Sequence, residues 1–171
     1  MIDASTFATL FDTLYPRVFG YIRARVYTME SAEDLTATVF EKALRYRHSY
    51  AAGKGNLDAW VFQIARNTVI DYYRASKRIP DQTELDEAAQ HPTEALTPEQ
   101  ETLKKELQVE LYEIMRQLSD RDQEIIQLRF FGRLTNRKIA EILDMNEKSV
   151  SVIIFRALKK MKQQLEVSEA V

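Results

Sequence analysis

The chain has 171 residues, a formal net charge of −2 and a hydrophobic content of 45%, enough for one ordinary domain or two small ones. It contains no cysteine and only two histidines, which excludes disulfides and thiolate zinc sites and argues against a histidine-based metal cluster. No apolar run approaches the ~20 residues of a membrane span, and the first residues lack the layout of a signal peptide. We therefore expect a cytoplasmic protein without membrane insertion. Four glycines and four prolines among many helix-forming residues predict an all-α fold.

The small net charge conceals an uneven distribution along the chain. Residues 1–79 carry eleven Lys and Arg against eight Asp and Glu, whereas residues 80–113 carry two against ten. Residues 114–165 carry eleven against six, and the last six residues add two acids. Two mildly basic blocks therefore flank an acidic one, so an acidic overall composition does not exclude nucleic-acid binding.

Two amphipathic helices are predicted before residue 49. The first begins at a Ser5 cap and carries apolar residues at helical spacing as far as Ile22, with Pro16 expected to kink it or start a second segment. The second follows a capping-box pattern at Ser31 and should bury Leu35, Val39, Phe40 and Ala43. Its outward row consists of Asp34, Thr38, Glu41 and Arg45. This row holds no catalytic arrangement, and is either a docking face for a protein or an ordinary solvated surface.

A loop and a third helix follow. Residues 49–56 break the periodicity and hold two of the four glycines, which predicts the loop. The helix runs from Leu57 to about Arg78, and its polar side carries Gln63, Asn67, Arg74 and Arg78, flanked by Arg66, Asp71 and Lys77. Such a stripe beside a loop can bind single-stranded nucleic acid, with nearby Tyr50, Trp60, Tyr72 and Tyr73 as stacking candidates. The alternative is that Trp60 and Tyr72 are core residues and the cations are merely exposed; for Trp60 we favour the core.

The middle of the chain has the composition of a linker. Residues 80–97 contain two prolines and five acids without an apolar period, which predicts a flexible acidic connection. A Thr97 cap with Gln100 three residues later begins the next helix. A further helix starts after Ser119, buries Ile125, Ile126 and Leu128, and stops near Gly132.

Residues 135–162 are typical of a helix-turn-helix, whose second helix can lie in a DNA major groove. Thr135 and Asn146 are the expected caps of its two helices. One side of the second helix should pack on the first through Val150, Ile153, Ile154, Ala157, Leu158 and Met161. The residues expected to contact DNA are Lys148, Ser149, Ser151, Val152, Phe155, Arg156, Lys159 and Lys160. The alternative is a helical hairpin with a solvated basic face, but exposed Val152 and Phe155 favour contact with a partner.

Several strings of the sequence together resemble an extracytoplasmic-function (ECF) sigma factor of the sigma-70 family. They are Ala32-Glu-Asp-Leu35 with Phe40, Trp60-Val-Phe-Gln-Ile-Ala-Arg-Asn67 with Asp71-Tyr-Tyr-Arg74 and Lys77-Arg78, and Leu118-Ser-Asp-Arg-Asp-Gln-Glu-Ile-Ile126 through Arg156-Ala-Leu158. The resemblance covers about residues 7–78 and 112–164. It implies a region 2-like helical domain at 1–79, the linker at 80–97, a region 4-like helix-turn-helix domain at 98–165 and a tail at 166–171.

The resemblance also implies roles for residues and partners. The helix-turn-helix residues given above would bind the −35 element as duplex. The −10 element, partly single-stranded, would be bound by Lys54, Asn56, Gln63, Arg66, Asn67, Asp71, Arg74, Lys77 and Arg78. Core RNA polymerase would be contacted at its clamp by Asp34, Leu35, Thr38, Glu41 and Arg45, and at its flap by the second domain. An anti-sigma factor is the expected regulator, and no cofactor, metal or catalytic residue is implied.

Departures from the family pattern fall in two contact segments. Ala37-Thr38-Val39 stands where the family usually shows Gln-Glu-Thr, and Lys148-Ser149 and Val152-Ile153 replace frequent Gly-Thr and Ser-Arg pairs. Two other functions remain open from the residues: a dimeric helix-turn-helix regulator, and a sigma-like adaptor that binds polymerase without opening DNA. An 18-residue linker spans up to ~60 Å, which together with two small domains can cover sites ~35–70 Å apart.

Overall fold

The computed structural model describes residues 2–50, 55–76 and 97–170. In chain order these residues form α1 Ala4–Arg23, α2 Met29–Tyr46, α3 Leu57–Ser76, α4 Pro98–Arg116, α5 Asp120–Phe130, α6 Asn136–Leu143 and α7 Glu147–Glu169. These parts of the chain contain no strand, and the prediction of an all-α fold is confirmed. The predicted linker, apart from Thr97, lies outside the described residues, as do Lys54, Lys77 and Arg78.

The four caps predicted for the second half of the chain are confirmed. Thr97, Ser119, Thr135 and Asn146 each accept a hydrogen bond from a backbone N–H in the first turn of α4, α5, α6 and α7. At α4 the Gln100 side chain also accepts from the Thr97 backbone N–H at 3.1 Å, completing a reciprocal capping box. These helices therefore begin where local sequence places them.

The first two helices begin earlier than predicted. Asp3 rather than Ser5 caps α1, accepting the Thr6 N–H at 2.7 Å. Thr28 rather than Ser31 caps α2, because the Thr28 hydroxyl accepts the Ser31 N–H at 3.1 Å. Ser31 is thus the third residue of the helix and donates to the cap. In both cases an earlier polar side chain satisfies the free N–H groups of the first turn.

Pro16 does not start a second helical segment, which was one of the two outcomes predicted for it. The helix continues from Ala4 to Arg23 with Pro16 inside it. Proline removes one N–H, so the Asp12 carbonyl four residues earlier loses its helical partner. Both Asp12 and Pro16 are exposed, and water can hydrogen-bond that carbonyl. The defect is tolerated because it lies on the outer face.

Two helical units divide the described residues. The N-terminal unit, α1–α3, is built around buried Leu14, Val18, Ile22, Val39, Val61, Phe62, Ala65 and Val69. The C-terminal unit, α4–α7, is built around Leu118, Ile125, Leu128, Leu134, Ile139, Val150, Ile154, Ala157 and Met161. Leu158 was predicted in the packing stripe of α7, but it is 41% exposed. The buried positions of α7 recur at intervals of three and four, and Leu158 lies just outside that narrow stripe.

The two units pack directly against each other. Gly132, after α5, lies against Phe62 of α3, and a Cβ atom at residue 132 would be 2.9 Å from the Phe62 ring and 2.7 Å from the Leu128 carbonyl. Gly20 of α1 faces Phe131 in the same interface. Helix α6 contacts α3 along this junction. The absence of a side chain at residue 132 therefore permits the close approach of the C-terminal unit to α3.

Candidate nucleic-acid interface

The helix-turn-helix presents an exposed face on α7. The turn between α6 and α7 is tight because Asp144 adopts a left-handed conformation, with φ of 51°, which a short polar side chain tolerates. All eight α7 residues predicted to bind the −35 element are exposed. Phe155 is 68% exposed and Val152 46%, so the surface offers apolar groups suited to a thymine methyl beside cations suited to phosphates.

Two of these α7 residues already have partners within the C-terminal unit. The Ser151 hydroxyl accepts a hydrogen bond from Asn136 of α6 at 3.0 Å and donates one to the Glu147 carbonyl. Lys160 donates to the Gln117 carbonyl at the end of α4, at 3.0 Å. Both side chains are thereby held against neighbouring helices. Among the α7 residues predicted to contact DNA, these two need to change partners to reach a base or phosphate.

A second exposed polar stripe lies on α3. Asn67, Asp71 and Arg74 are exposed, and partly buried Gln63 donates to the Asn67 side chain at 3.4 Å. The stripe lies on the side of α3 opposite its buried residues, as the sequence period predicts. It therefore remains available to a ligand while the two units are packed together.

Aromatic residues connect this stripe to the preceding loop. The Tyr50 ring lies 5.4 Å from the Trp60 ring, and the Tyr50 hydroxyl donates to the Gly55 carbonyl at 2.9 Å. Trp60 packs against the core, the interpretation favoured from the sequence, yet part of it remains at the surface. Asn56 accepts a hydrogen bond from the Asp58 N–H at 2.9 Å at the start of α3. The loop end is thus fixed to the helix.

Arg66 points away from the stripe and into the junction between the units. Its Nε lies 2.8 Å from Oε1 of Glu124 in α5, and Arg25, just after α1, reaches the same oxygen at 3.4 Å. The Tyr21 hydroxyl is 3.4 Å from that oxygen. Burial raises the pKa of Tyr21 above its usual value, so this hydroxyl remains a donor. We call Tyr21, Arg25, Arg66 and Glu124 the Glu124 cluster.

A second charge cluster connects the units at the start of α3. Asp58 Oδ2 lies 3.1 Å from Arg17 of α1 and 2.8 Å from Lys138 of α6. Arg17 also donates to the Gly132 carbonyl at 2.9 Å. We call Arg17, Asp58 and Lys138 the Asp58 cluster. Neither cluster could be predicted from the sequence, because the partners of Asp58 and Glu124 lie 41 to 103 residues away from them and no local pattern marks them.

Packing of the two units should weaken in acid, below the ordinary pKa of an aspartate. Burial disfavours the charged form of Asp58, but hydrogen bonds from Lys138 and Arg17 outweigh it and hold the pKa of this carboxyl below its usual value. A lowered pKa means that the stabilisation is complete above the ordinary aspartate pKa and is lost as the pH falls through the lowered one. Small-angle scattering should show expansion in that range while circular dichroism still reports helices. Asp58→Asn should be expanded already at pH 7 and lack this step; an identical step in the variant would assign it elsewhere.

The predicted polymerase-contact row lies on the outer side of α2. Asp34, Glu41 and Arg45 are exposed, while Thr38 and Leu35 are partly buried. Arg45 and Glu41 form an ion pair at 2.7 Å, and the Thr38 hydroxyl donates to the Asp34 carbonyl. No helix in the described part of the chain is long and apolar enough to span a bilayer.

Two family models match the chain on either side of the predicted linker. The model described as Sigma-70 region 2 matches residues 10–79, and the model described as Sigma-70, region 4 matches residues 108–161. The chain is similar to the ECF RNA polymerase sigma factor BldN of Streptomyces coelicolor, at 29% identity over 95% of this chain and 61% of the relative. It is also similar to the RNA polymerase sigma factor YlaC of Bacillus subtilis, at 28% identity over 93% of this chain and 91% of the relative.

Solved structures with the same fold cover nearly the whole chain. The sigma factor RpoE, in complex with the anti-sigma factor NepR from Bartonella quintana, matches with a TM-score of 0.71 and 21% identity over 96% of this chain and 99% of the other. CnrH, in complex with the cytosolic domain of CnrY, matches with a TM-score of 0.69 and 17% identity over 96% and 90%. The chain belongs to the sigma-70 family and, within it, to the ECF sigma factors.

Proposed function

We propose that the protein is an alternative sigma factor that binds bacterial core RNA polymerase and directs initiation at promoters with −35 and −10 elements. The observation that carries this proposal is the presence, in one chain, of two exposed polar faces. One is on α7, in the segment that matches region 4, and the other is on α3, in the segment that matches region 2. A single helix-turn-helix regulator would have no use for the second face.

At the −35 element, α7 lies in the major groove of duplex DNA. Lys148, Ser149, Ser151, Val152 and Phe155, nearer its N-terminus, contact base edges, and Arg156, Lys159 and Lys160 contact phosphates. This division follows from the docking of a recognition helix by its N-terminal residues. Asn136, through its hydrogen bond to Ser151, would set the direction of that hydroxyl.

At the −10 element, the α3 stripe and the 49–56 loop hold unpaired bases. Asn56, Gln63, Asn67, Asp71 and Arg74, together with Lys54, Lys77 and Arg78, form the contact set. Extrusion of a base costs a few kcal/mol, and contacts made only to the extruded base offset that cost. The protein therefore promotes melting by binding the open strand, which requires no catalytic residue and is not an enzymatic reaction of this chain.

The remaining partners are proteins. The α2 row of Asp34, Leu35, Thr38, Glu41 and Arg45 is proposed to contact the polymerase clamp, and the C-terminal unit the flap. An anti-sigma factor is the proposed regulator, since the structurally similar RpoE was solved in complex with the anti-sigma factor NepR. The site of action is the cytoplasm, where the polymerase works.

Run-off transcription with purified core polymerase tests this function. The chain should direct specific transcripts from a subset of bacterial promoters that core enzyme alone does not initiate. A chain that binds core enzyme but leaves every promoter closed would instead be an adaptor. A stable dimer that binds a palindrome without polymerase would be a conventional regulator. Either result would contradict the proposal.

Replacing Arg156 and Lys148 of α7 singly by alanine should distinguish a contact to phosphate from a contact that reads a base. Arg156→Ala should weaken binding to all −35 sequences and flatten the salt dependence by about one unit, because one phosphate contact is lost. Lys148→Ala, at the N-terminal end of the same face, should change which −35 sequence is preferred. Binding to a panel of −35 variants at several salt concentrations measures both. An unchanged salt slope for Arg156→Ala would remove it from the phosphate contacts.

A further inference from the structure

We propose that Arg25 and Arg66 form a phosphate-binding site on the N-terminal unit, and that the Glu124 carboxylate occupies this site when the units are packed together. The ligand is a backbone phosphate of the opened strand. This inference rests on the proposed function, because it places a new contact beside the −10 surface of α3. It adds Arg25, which no sequence pattern marked, to the residues that hold DNA.

The site is already built around an anion. A single oxygen of Glu124 receives Arg66 Nε at 2.8 Å and Arg25 Nη1 at 3.4 Å, so the two nitrogens are at most about 6 Å apart. The Tyr21 hydroxyl approaches the same oxygen at 3.4 Å. The side chains of Arg25 and Arg66 are only 21% and 29% exposed. Two like charges held this close and partly buried require a counter-charge.

Both arginines belong to the N-terminal unit, and Arg25 has further contacts there besides Glu124. The Arg25 guanidinium lies 5.8 Å from the centre of the Tyr21 ring, and the Tyr73 hydroxyl donates to the Arg25 carbonyl. Burial raises the pKa of Tyr73 to about 12, so this donor is uncharged at any physiological pH. Arg66 is placed on the same unit by α3. When Glu124 leaves, both guanidinium groups need another anion between them, and a phosphate can supply that charge.

Binding of both promoter elements removes Glu124 from the site. Asp58 contacts Lys138 at 2.8 Å, and Asn136, two residues earlier, contacts Ser151 of α7 at 3.0 Å. This series of contacts limits the Cα separation of Asp58 and Ser151 to less than about 30 Å. One helical turn of DNA is already ~34–36 Å, and the two elements lie one to two turns apart. The start of α3 and the helix α7 are therefore closer together than one helical turn of DNA, which favours movement of the C-terminal unit away from α3, together with Glu124, when both elements are bound.

A phosphate of the melted strand is the anion best placed to replace it. Arg66 lies about 100° around α3 from Asn67, so a strand whose base reaches the stripe can pass its backbone across to the arginine pair. Paired guanidinium groups match the geometry of phosphate oxygens better than single ammonium groups do. Glu124 thus competes with the DNA for this site. Arg25 and Arg66 bind Glu124 while the units are packed together and bind a DNA phosphate in the promoter complex.

Holoenzyme reconstituted with core polymerase provides the test, with a promoter fork whose −10 strand is unpaired as the probe. Arg25→Ala should weaken fork binding several-fold and flatten the salt slope by about 0.7, the value for one phosphate on a single strand. Arg25→Lys keeps the charge and should retain most of the slope. Arg116→Ala, which removes a partly buried arginine of the C-terminal unit paired with Glu113, is the matched control and should change neither quantity.

Glu124→Gln distinguishes a phosphate site from a contact that only holds the units together. Both Arg25→Ala and Glu124→Gln weaken the packing of the units. If that is their sole effect, both variants will shift fork binding in the same direction. A phosphate site predicts opposite results: Glu124→Gln holoenzyme keeps the wild-type salt slope, and the free variant chain binds a single-stranded oligonucleotide more tightly than wild type. Parallel shifts would overturn the proposal.

Comparing Asn67→Ala with Arg25→Ala shows whether the phosphate site alone is wrong or the proposed −10 surface is wrong as well. Loss of fork binding by Asn67→Ala, with no effect of Arg25→Ala, would retain the −10 surface on α3 and reject the phosphate site. Insensitivity of fork binding to both substitutions would reject the −10 surface itself, and the phosphate site with it. Thermal unfolding of each variant shows whether a loss of binding reflects a loss of folded protein.

Discussion

Replacing Asn67 and Arg74 together by alanine is expected to leave promoters closed in complexes with polymerase. Both residues are exposed on the α3 stripe, with Asn67 receiving a hydrogen bond from Gln63. Base-directed contacts contribute roughly 1–3 kcal/mol each, and 1.4 kcal/mol is a tenfold change in an equilibrium constant. Loss of one such contact and one phosphate contact should therefore reduce open complexes at least about tenfold. Permanganate reactivity of unpaired thymines in the −10 element measures the open fraction.

The effect should be confined to strand opening. Binding of the double variant to core polymerase and to duplex −35 DNA should match wild type, because neither residue lies on α2 or α7. Asp12→Ala removes an exposed polar side chain from the same unit, on α1, and should open promoters normally. Wild-type permanganate reactivity in the double variant would show that α3 does not hold the opened strand.

Features that depend on neighbouring residues could be predicted from the sequence. The capping box of Thr97 and Gln100 and the exposed face of Phe155 both follow from contacts three or four positions apart. The predicted cap of α2 was wrong because two nearby residues could each have served as the cap. Thr28 and Ser31 are both good caps three residues apart, and only the backbone decides between them. The exposed faces of α3 and α7 and the outward row of α2 are likewise readable from helical periodicity.

The junction between the units could not be predicted in this way. Glu124 follows Asp120 and Asp122 in a helix whose acids all look solvated, yet Glu124 is buried against arginines from the other unit. Its partner Arg66 is 58 residues away, and Lys138 is 80 residues from Asp58. The two units are far apart in sequence, so their pairing depends on charge and shape contributed by residues from both. The sequence predicts that Arg66 flanks the polar stripe of α3, but it does not predict the ion pair with Glu124.

Reversing the charge of Asp58 is expected to separate the units. A lysine at this position would face Arg17 and Lys138, both now within 3.1 Å of the carboxylate. Removing one partner of a buried pair costs 3–5 kcal/mol, but these side chains are 14–26% exposed, so roughly 1–3 kcal/mol is expected. The ratio of packed to separated molecules should fall about fivefold to 150-fold.

Energy transfer between two dyes measures this separation directly. The chain has no cysteine, so Ala75→Cys on α3 and Ser168→Cys on α7, both exposed positions, provide unique labelling sites. Asp58→Lys should lower transfer efficiency, and adding Lys138→Asp should restore much of it by re-forming the pair with opposite polarity. Exchange of Glu41 and Arg45, an ion pair of 2.7 Å within α2, should leave transfer unchanged. Equal transfer in wild type and Asp58→Lys would mean that apolar contacts such as Phe62 with Gly132 hold the units together without the ion pairs.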